Sequence, residues 1–255
     1  MQGLALVTGG GRGIGLGIAR RLAADGWRVA IGDLTAEQAR AGLSELPGDG
    51  HSAWQVDVSR EDSVEQLFEQ IEAEHGPITA LVCNAGVLLM VNNERPSLID
   101  LTVEDWNRTH AVNSFGTFLC CREYARRRHK VPVANGRVVT TSSVAAELGG
   151  IRSSSSYISS KSAVIGFTKA VARELAPLGI TVNCVAPGII DAPMLYATAT
   201  DQARATDFEK LAQNIPLRRL GMPDDLAGTV AFLISADAAY ITGATIDVNG
   251  GYRMG

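Results

Sequence analysis

Three side chains near the middle of the chain, Ser143, Tyr157 and Lys161, have the types and spacing for proton transfer. They lie in the stretch 142–161, after an apolar run at 137–141 and ahead of a helical pattern at 162–175. Residues four apart on a helix stand one turn apart on the same face, so Tyr157 and Lys161 set a phenol beside an ammonium. A free tyrosine ionises near pH 10 and is a poor base at neutrality. A positive charge about 4 to 5 Å away, at an effective dielectric near 20, favours the phenolate by roughly 3 to 4 kcal/mol, which makes the tyrosine a proton carrier. Ser143, on the turn that leaves the apolar run, offers a hydroxyl that can orient and polarise a carbonyl or alcohol oxygen. A bare Tyr-x-x-x-Lys also occurs as the polar start of a helix after a serine-rich loop, so its weight rests on the elements around it.

Those elements begin with an apolar run at 4–8, a glycine turn holding Gly9, Arg12, Gly13, Ile14 and Gly15, and a helical pattern through Leu16, Ile18, Ala19, Leu22 and Ala23. Strand, glycine turn and helix in that order open a nucleotide-binding half, where glycines admit a pyrophosphate and the helix N-terminus favours its charge. A second strand at 27–32 leads to Asp33 and Leu34, about twenty residues beyond the loop, where a carboxylate can accept hydrogen bonds from an adenosine ribose. The same carboxylate repels a 2′-phosphate and points to NAD over NADP; Arg12 in the glycine loop argues the other way. Asp33 also reads as a helix-capping acid ahead of the capping-box pattern Thr35-Ala-Glu-Gln38.

Helix and strand continue to alternate: helix 35–46, strand 52–56, a helix capped from Ser59 to about 75, and strand 78–83. Asp57-Val58 and Asn84-Ala85-Gly86 therefore sit at strand ends, on the edge where open α/β sheets bind ligands, and are assigned to an adenine and ribose floor. A long connection at 87–101 precedes a helix that starts at Thr102 and runs to the basic cluster 126–130, which reads as a solvated, dipole-complementing helix end. Asn113 falls inside that helix, either exposed or marking a local kink. A strand at 181–186 ends in Pro187-Gly188; the mixed segment 189–216, with Ile190 and Met194, is a candidate substrate lid or a surface flap. A helix at 223–234 and a strand at 244–248 close the pattern. The expectation is a single α/β domain over 1–255: a doubly wound, seven-stranded parallel sheet with helices on both faces.

With 255 residues, 46% of them hydrophobic, the chain can bury one large core. A net charge of −4 gives no reason to expect nucleic acid or an anionic membrane as partner. The four cysteines and four histidines show no metal-ligand spacing, so no metal is expected, and cysteines in apolar runs suit a reducing compartment. With no signal-peptide start and no apolar run of spanning length, the expected location is cytoplasmic.

The set Thr8-Gly9-x-x-x-Gly13-Ile14-Gly15, Asp57-Val58, Asn84-Ala85-Gly86, Asn113, Ser143, Tyr157-x-x-x-Lys161, Pro187-Gly188 and Ile241 to Gly251 resembles the short-chain dehydrogenase/reductase family from about Leu4 to Tyr252. The resemblance implies an oxidoreductase that uses NAD, with NADP less favoured, to interconvert a secondary alcohol and a ketone. Tyr157 would exchange the proton, Lys161 would favour its phenolate and hold the nicotinamide ribose, Ser143 (or its neighbour Ser142) would position the substrate oxygen, and Asn113 would hold a water. It further implies a homotetramer. The substrate would lie among 88–96, 144–156 and 189–211, with Ala145 and Met194 in its lining, suiting a modest, partly apolar alcohol. Ala192 stands where the family often has a threonine that contacts the nicotinamide carboxamide, which leaves that contact to backbone groups such as those of Ile190. An NADP-linked 3-oxoacyl reductase, and a noncatalytic dinucleotide-binding sensor or scaffold, are the competing readings.

Overall fold

The computed structural model describes residues 3–90, 94–150, 153–196 and 204–255. Seven strands, β1 (Leu4–Thr8), β2 (Arg28–Asp33), β3 (Ser52–Gln55), β4 (Ala80–Cys83), β5 (Arg137–Thr141), β6 (Thr181–Pro187) and β7 (Thr245–Val248), form one sheet in the order β3-β2-β1-β4-β5-β6-β7. Every pairing is parallel. Parallel strands covered on both faces read as continuous apolar runs, which is why β1, β4, β5 and β6 are buried from end to end.

Helices cover both faces. Helices α1 (Gly13–Ala24), α2 (Ala36–Leu43) and α10 (Pro223–Ile234) lie on one side, where Ile18, Leu22, Ala39, Val230 and Leu233 pack with Val7, Val29 and Val82. On the other, α3 (Glu61–His75), α5 (Gly116–Lys130) and α7 (Ser155–Leu175) bring Phe68, Leu119, Tyr124 and Ala172 against Leu6, Leu81 and Val138. Each fully buried side chain of this size contributes about 1.5–3 kcal/mol. Between α4 (Val103–His110) and α5 the chain takes a π turn at Ala111–Phe115. Shorter helices are α6 (Ala145–Leu148), α8 (Pro193–Tyr196) and α9 (Arg204–Gln213). Among the described residues no helix is long and apolar enough to cross a membrane.

Two local expectations are corrected. Ser59 does not cap α3: its N–H and hydroxyl both donate to Asp57 Oδ1, at 3.0 and 2.6 Å, so the helix starts at Glu61. The basic cluster is structural but not simply solvated. Arg126 and Arg127 pair with acids of α3 and with Glu123, and Arg128, only 1% exposed, donates to Ile78 O at 3.0 Å and pairs with Glu72. Four cysteines are buried as free thiols.

Because the Arg128 guanidinium depends on Glu72 for its counter-charge, Glu72→Ala should cost about 3–5 kcal/mol in urea unfolding, and Glu72→Ala with Arg128→Met should recover most of that loss. A single variant as stable as the parent contradicts this.

Candidate active site

The strand order reverses between β1 and β4, so their C-terminal ends open a crevice. Thr8 closes its floor: its hydroxyl donates to Val82 O at 3.4 Å and accepts the N–H groups of Asn84 and Ala85 at 3.2 and 3.3 Å. The Asn84 amide donates to the carbonyls of Thr8 and Gly9. This packing sets the need for glycine: Gly9 has φ +63°, and a Cβ on Gly15 would lie 2.0 Å from Gly9 O. Gly9 and Gly15 therefore serve the protein's own close approach before they serve any ligand. Gly13, at φ +56°, has only Pro193 and Ala192 among the described residues near the place of a Cβ.

Asp33 is not a helix cap. Thr35 caps α2, accepting Gln38 N–H at 3.2 Å, whereas Asp33 accepts the N–H of Gly11 at 2.9 Å and of Leu34 at 2.7 Å. The carboxylate thus fastens the glycine loop to the end of β2, beside a Leu34 side chain that is 58% exposed. Arg12 is exposed at the start of α1. Val58 packs under the π turn, where a Cβ on Gly116 would meet it at 2.8 Å.

The second half of the crevice is built by β5, β6 and α7. Ser142 N–H donates to Val185 O and Val144 N–H to Pro187 O, tying the turn after β5 to β6. Ser142 is buried and its hydroxyl donates to Lys161 O at 2.8 Å. Ser143 stays half-exposed, accepts Ala145 N–H at 3.2 Å, and its hydroxyl acts on the Tyr157 phenol to lower its pKa. Of the two serines, Ser143 is therefore the one that meets the phenol. Helix α7 starts seven residues before the pattern at 162, because Ser154 caps it by accepting Tyr157 N–H at 3.3 Å.

Lys161 Nζ donates to Thr141 O at 2.9 Å and lies 3.2 Å from where a Cβ of Gly86 would stand. Burial brings its pKa down to about 8. Burial also pushes the Tyr157 phenol above its ordinary value, partly offset by the neighbouring Ser143 hydroxyl. The Lys161 side chain reaches toward Thr141 and Gly86, and burial is the larger influence on the phenol of the ligand-free chain.

Asn113 is fully buried by the π turn. Its Oδ1 accepts Val87 N–H at 2.8 Å, and its Nδ2 donates to Val87 O and Ser160 Oγ, both at 3.0 Å. The amide is a strut between the loop after β4 and α7. Ser154 and Ser160, with Ser160 Oγ donating to Tyr157 O at 2.8 Å, were hidden in a run that reads as a serine-rich loop; the Ser154-x-x-Tyr157 cap spacing was the available signal.

On the far side, Gly188 N–H donates to Val248 O at 3.0 Å. Gly221 N–H donates to Ile189 O and Asp191 N–H to Gly221 O, so Ile190 turns its own N–H the opposite way. Ala192 is buried with Ile14, Ile190, Leu226 and Val248, an apolar seat that suits a methyl rather than a hydroxyl. Ala145 is buried beside Ser143 and Met194 is 39% exposed on α8. Of the expected substrate lining and lid, residues 91–93, 151–152 and 197–203 lie outside the described residues.

The residues present fit a dinucleotide. The Lys161 ammonium is buried with one acceptor among the described residues, leaving N–H groups for ribose hydroxyls, and the Ile190 N–H has no acceptor there. A family model described as enoyl-(acyl carrier protein) reductase matches residues 9–253. The chain is similar to a short-chain dehydrogenase/reductase of Armillaria gallica, 38% identical with 97% of this chain and 95% of that protein covered. It is 39% identical to the 3-oxoacyl-[acyl-carrier-protein] reductase of Escherichia coli, covering 98% and 97%. It is 38% identical to the (3R)-3-hydroxyacyl-CoA dehydrogenase of Rattus norvegicus, covering 98% and 96%.

With a folded pKa of about 8 against an ordinary 10.5, Lys161 carries its full burial cost below pH 8. Between the two values the unfolded chain holds more protons, so stability rises with pH. Lys161→Met should therefore melt several degrees higher than the ligand-free parent at pH 7, the gap closing by about pH 10. A variant that melts lower at pH 7 contradicts this.

Proposed function

Because this chain belongs to the short-chain dehydrogenase/reductase family of oxidoreductases, we propose that it interconverts a secondary alcohol and a ketone with NAD, Tyr157 acting as general acid and base. The observation that carries the reading is the placement of the Tyr157 phenol and the half-exposed Ser143 hydroxyl at a crevice where the Lys161 ammonium is buried with Thr141 O as its acceptor. A ketone oxygen seated there accepts from both hydroxyls, which polarises the carbonyl as negative charge develops on oxygen. When bound, the dinucleotide supplies or accepts the hydride at its nicotinamide ring. Tyr157 gives its proton to that oxygen during reduction and takes one back during oxidation. Burial keeps the phenol protonated, so the ligand-free protein stands ready as the acid for reduction. Lys161 and Ile190 N–H groups would hold the nicotinamide half, and the Asn113 strut fixes Val87 in the loop after β4.

Asp33, fixed at the end of β2, supports NAD, since its carboxylate repels a 2′-phosphate. The exposed Arg12 favours a second reading, an NADP-linked reductase. The names of the Escherichia coli and Rattus norvegicus relatives add 3-oxoacyl and 3-hydroxyacyl thioesters to the substrates worth testing. The half-buried edge strand β7 and the exposed Phe232 and Tyr240 near it support a homotetramer, which light scattering tests.

Tyr157→Phe should lower turnover by about 10³-fold or more, with dinucleotide affinity held within about threefold. Ser143→Ala should lower turnover about 10²-fold, whereas Ser142→Ala should keep turnover but lose roughly 1–2 kcal/mol of stability. Full activity in Tyr157→Phe overturns the mechanism. Turnover should favour NAD over NADP at least tenfold, and Asp33→Ala should erase that preference; a parent that prefers NADP removes the role given to Asp33.

A further inference from the structure

The turn that carries Ser143 runs into α6, a single helical turn that cannot hold its shape alone. Three tethers outside it are visible. Val144 N–H donates to Pro187 O at 2.8 Å on the β6 side, and Ser162 Oγ donates to Ala146 O at 2.8 Å on the α7 side. The third is ionic: Glu147 of α6 pairs with Arg253, which follows β7 by five residues. The same guanidinium donates to Asp247 Oδ2 of β7 at 2.6 Å.

Arg253 is held in place by the tail itself. Gly250 and Gly251, at φ +63° and +84°, reverse the chain just after β7. Asn249 locks the reversal: its Oδ1 accepts Gly251 N–H at 2.9 Å and its Nδ2 donates to Arg253 O at 3.2 Å. Asn249 also packs on Gly188, where a Cβ would lie 2.7 Å from its Cα, and Gly250 O accepts Leu217 N–H at 3.1 Å. One short tail thus touches the Pro187-Gly188 turn, the end of the segment after α9, and α6. The side chains of Glu147, Asp247 and Arg253 are 28%, 25% and 24% exposed, so the pairs are partly shielded from solvent.

We propose that Arg253 is a positioning residue for the reaction: bridging Glu147 and Asp247, it clamps α6 to the edge strand and so fixes where Ser143 presents its hydroxyl to Tyr157 and substrate. The proposal rests on the oxidoreductase reading for its effect on rate, but the clamp can be read without turnover. A guanidinium between two carboxylates keeps its charge at every accessible pH and can bond both at once. Neutral methionine fills similar space without bonding either, whereas lysine retains the charge.

The test compares Arg253→Met, Arg253→Lys, Glu147→Gln and the double variant Glu147→Gln with Arg253→Met, using the full chain. Hydrogen exchange of the segment 143–150, followed by mass spectrometry without substrate, should speed up about tenfold or more in Arg253→Met and Glu147→Gln, and return close to the parent rate in Arg253→Lys. In steady-state ketone reduction with a saturating dinucleotide, kcat should fall about tenfold in each neutral variant and by no more in the double variant. KM for the dinucleotide should stay within about twofold, and Arg253→Lys should restore kcat to within about threefold. Unchanged exchange in the neutral variants, or losses that multiply in the double variant, would overturn the clamp. If exchange responds as stated while the parent turns over no ketone, the reaction reading fails and the clamp stands.

Discussion

A lysine ammonium held out of water governs this molecule. Lys161 is buried on α7, with the Thr141 carbonyl at the end of β5 as its hydrogen-bond acceptor among the described residues. A buried charge with spare donors is costly to the folded chain and waits for acceptors that a ligand can bring. The neighbouring contacts keep it from relaxing toward solvent. Ser142 fastens the Lys161 carbonyl, Ser154 caps the helix ahead of Tyr157, and Asn113 braces the helix through Ser160. That brace exists because the chain between α4 and α5 winds one π turn, which carries an amide inward where a regular helix presents a different face.

The sheet order supplies the other half. Reversal between β1 and β4 leaves a crevice at their ends, and Thr8, Asn84 and Asp33 knit the glycine loop into one floor. Glycines there are demanded first by backbone meeting backbone, at Gly9 and Gly15. The loop's shape is set before a ligand arrives. Preorganisation of this kind spares binding energy for orientation of the reacting groups. On the opposite rim the chain's last residues return to α6, so the serine, the phenol and the sheet's edge strand belong to one connected set of contacts.

Much of this was legible in the residues. Seven apolar runs alternating with helical patterns gave the parallel sheet, because strands buried on both faces admit few polar residues. The type and spacing of Ser143, Tyr157 and Lys161 singled them out, with Asn113 as a marked anomaly in its helix. Spacing did not give direction. Tyr157 and Lys161 share a face as expected, yet the lysine reaches toward Thr141 and Gly86, and burial rather than charge dominates the phenol. Ser59 matched a capping pattern but found a nearer partner in Asp57. Arg128, in a run of basic residues that reads as solvated, is buried because Glu72 and the Ile78 carbonyl, both distant in sequence, meet it. The bridge from Arg253 to Glu147 joins residues 106 positions apart and leaves no local trace.

Tyr157, buried and protonated in the ligand-free protein, is the group whose ionisation must respond when the crevice is filled. Tyrosine ring carbons labelled with carbon-13, with the Tyr157 signal assigned by its loss in Tyr157→Phe, report that phenol's ionisation directly. The account predicts a pKa above that of free tyrosine in the ligand-free protein and a fall toward neutrality when NAD binds beside Lys161. A Tyr157 titration that NAD leaves unmoved contradicts it.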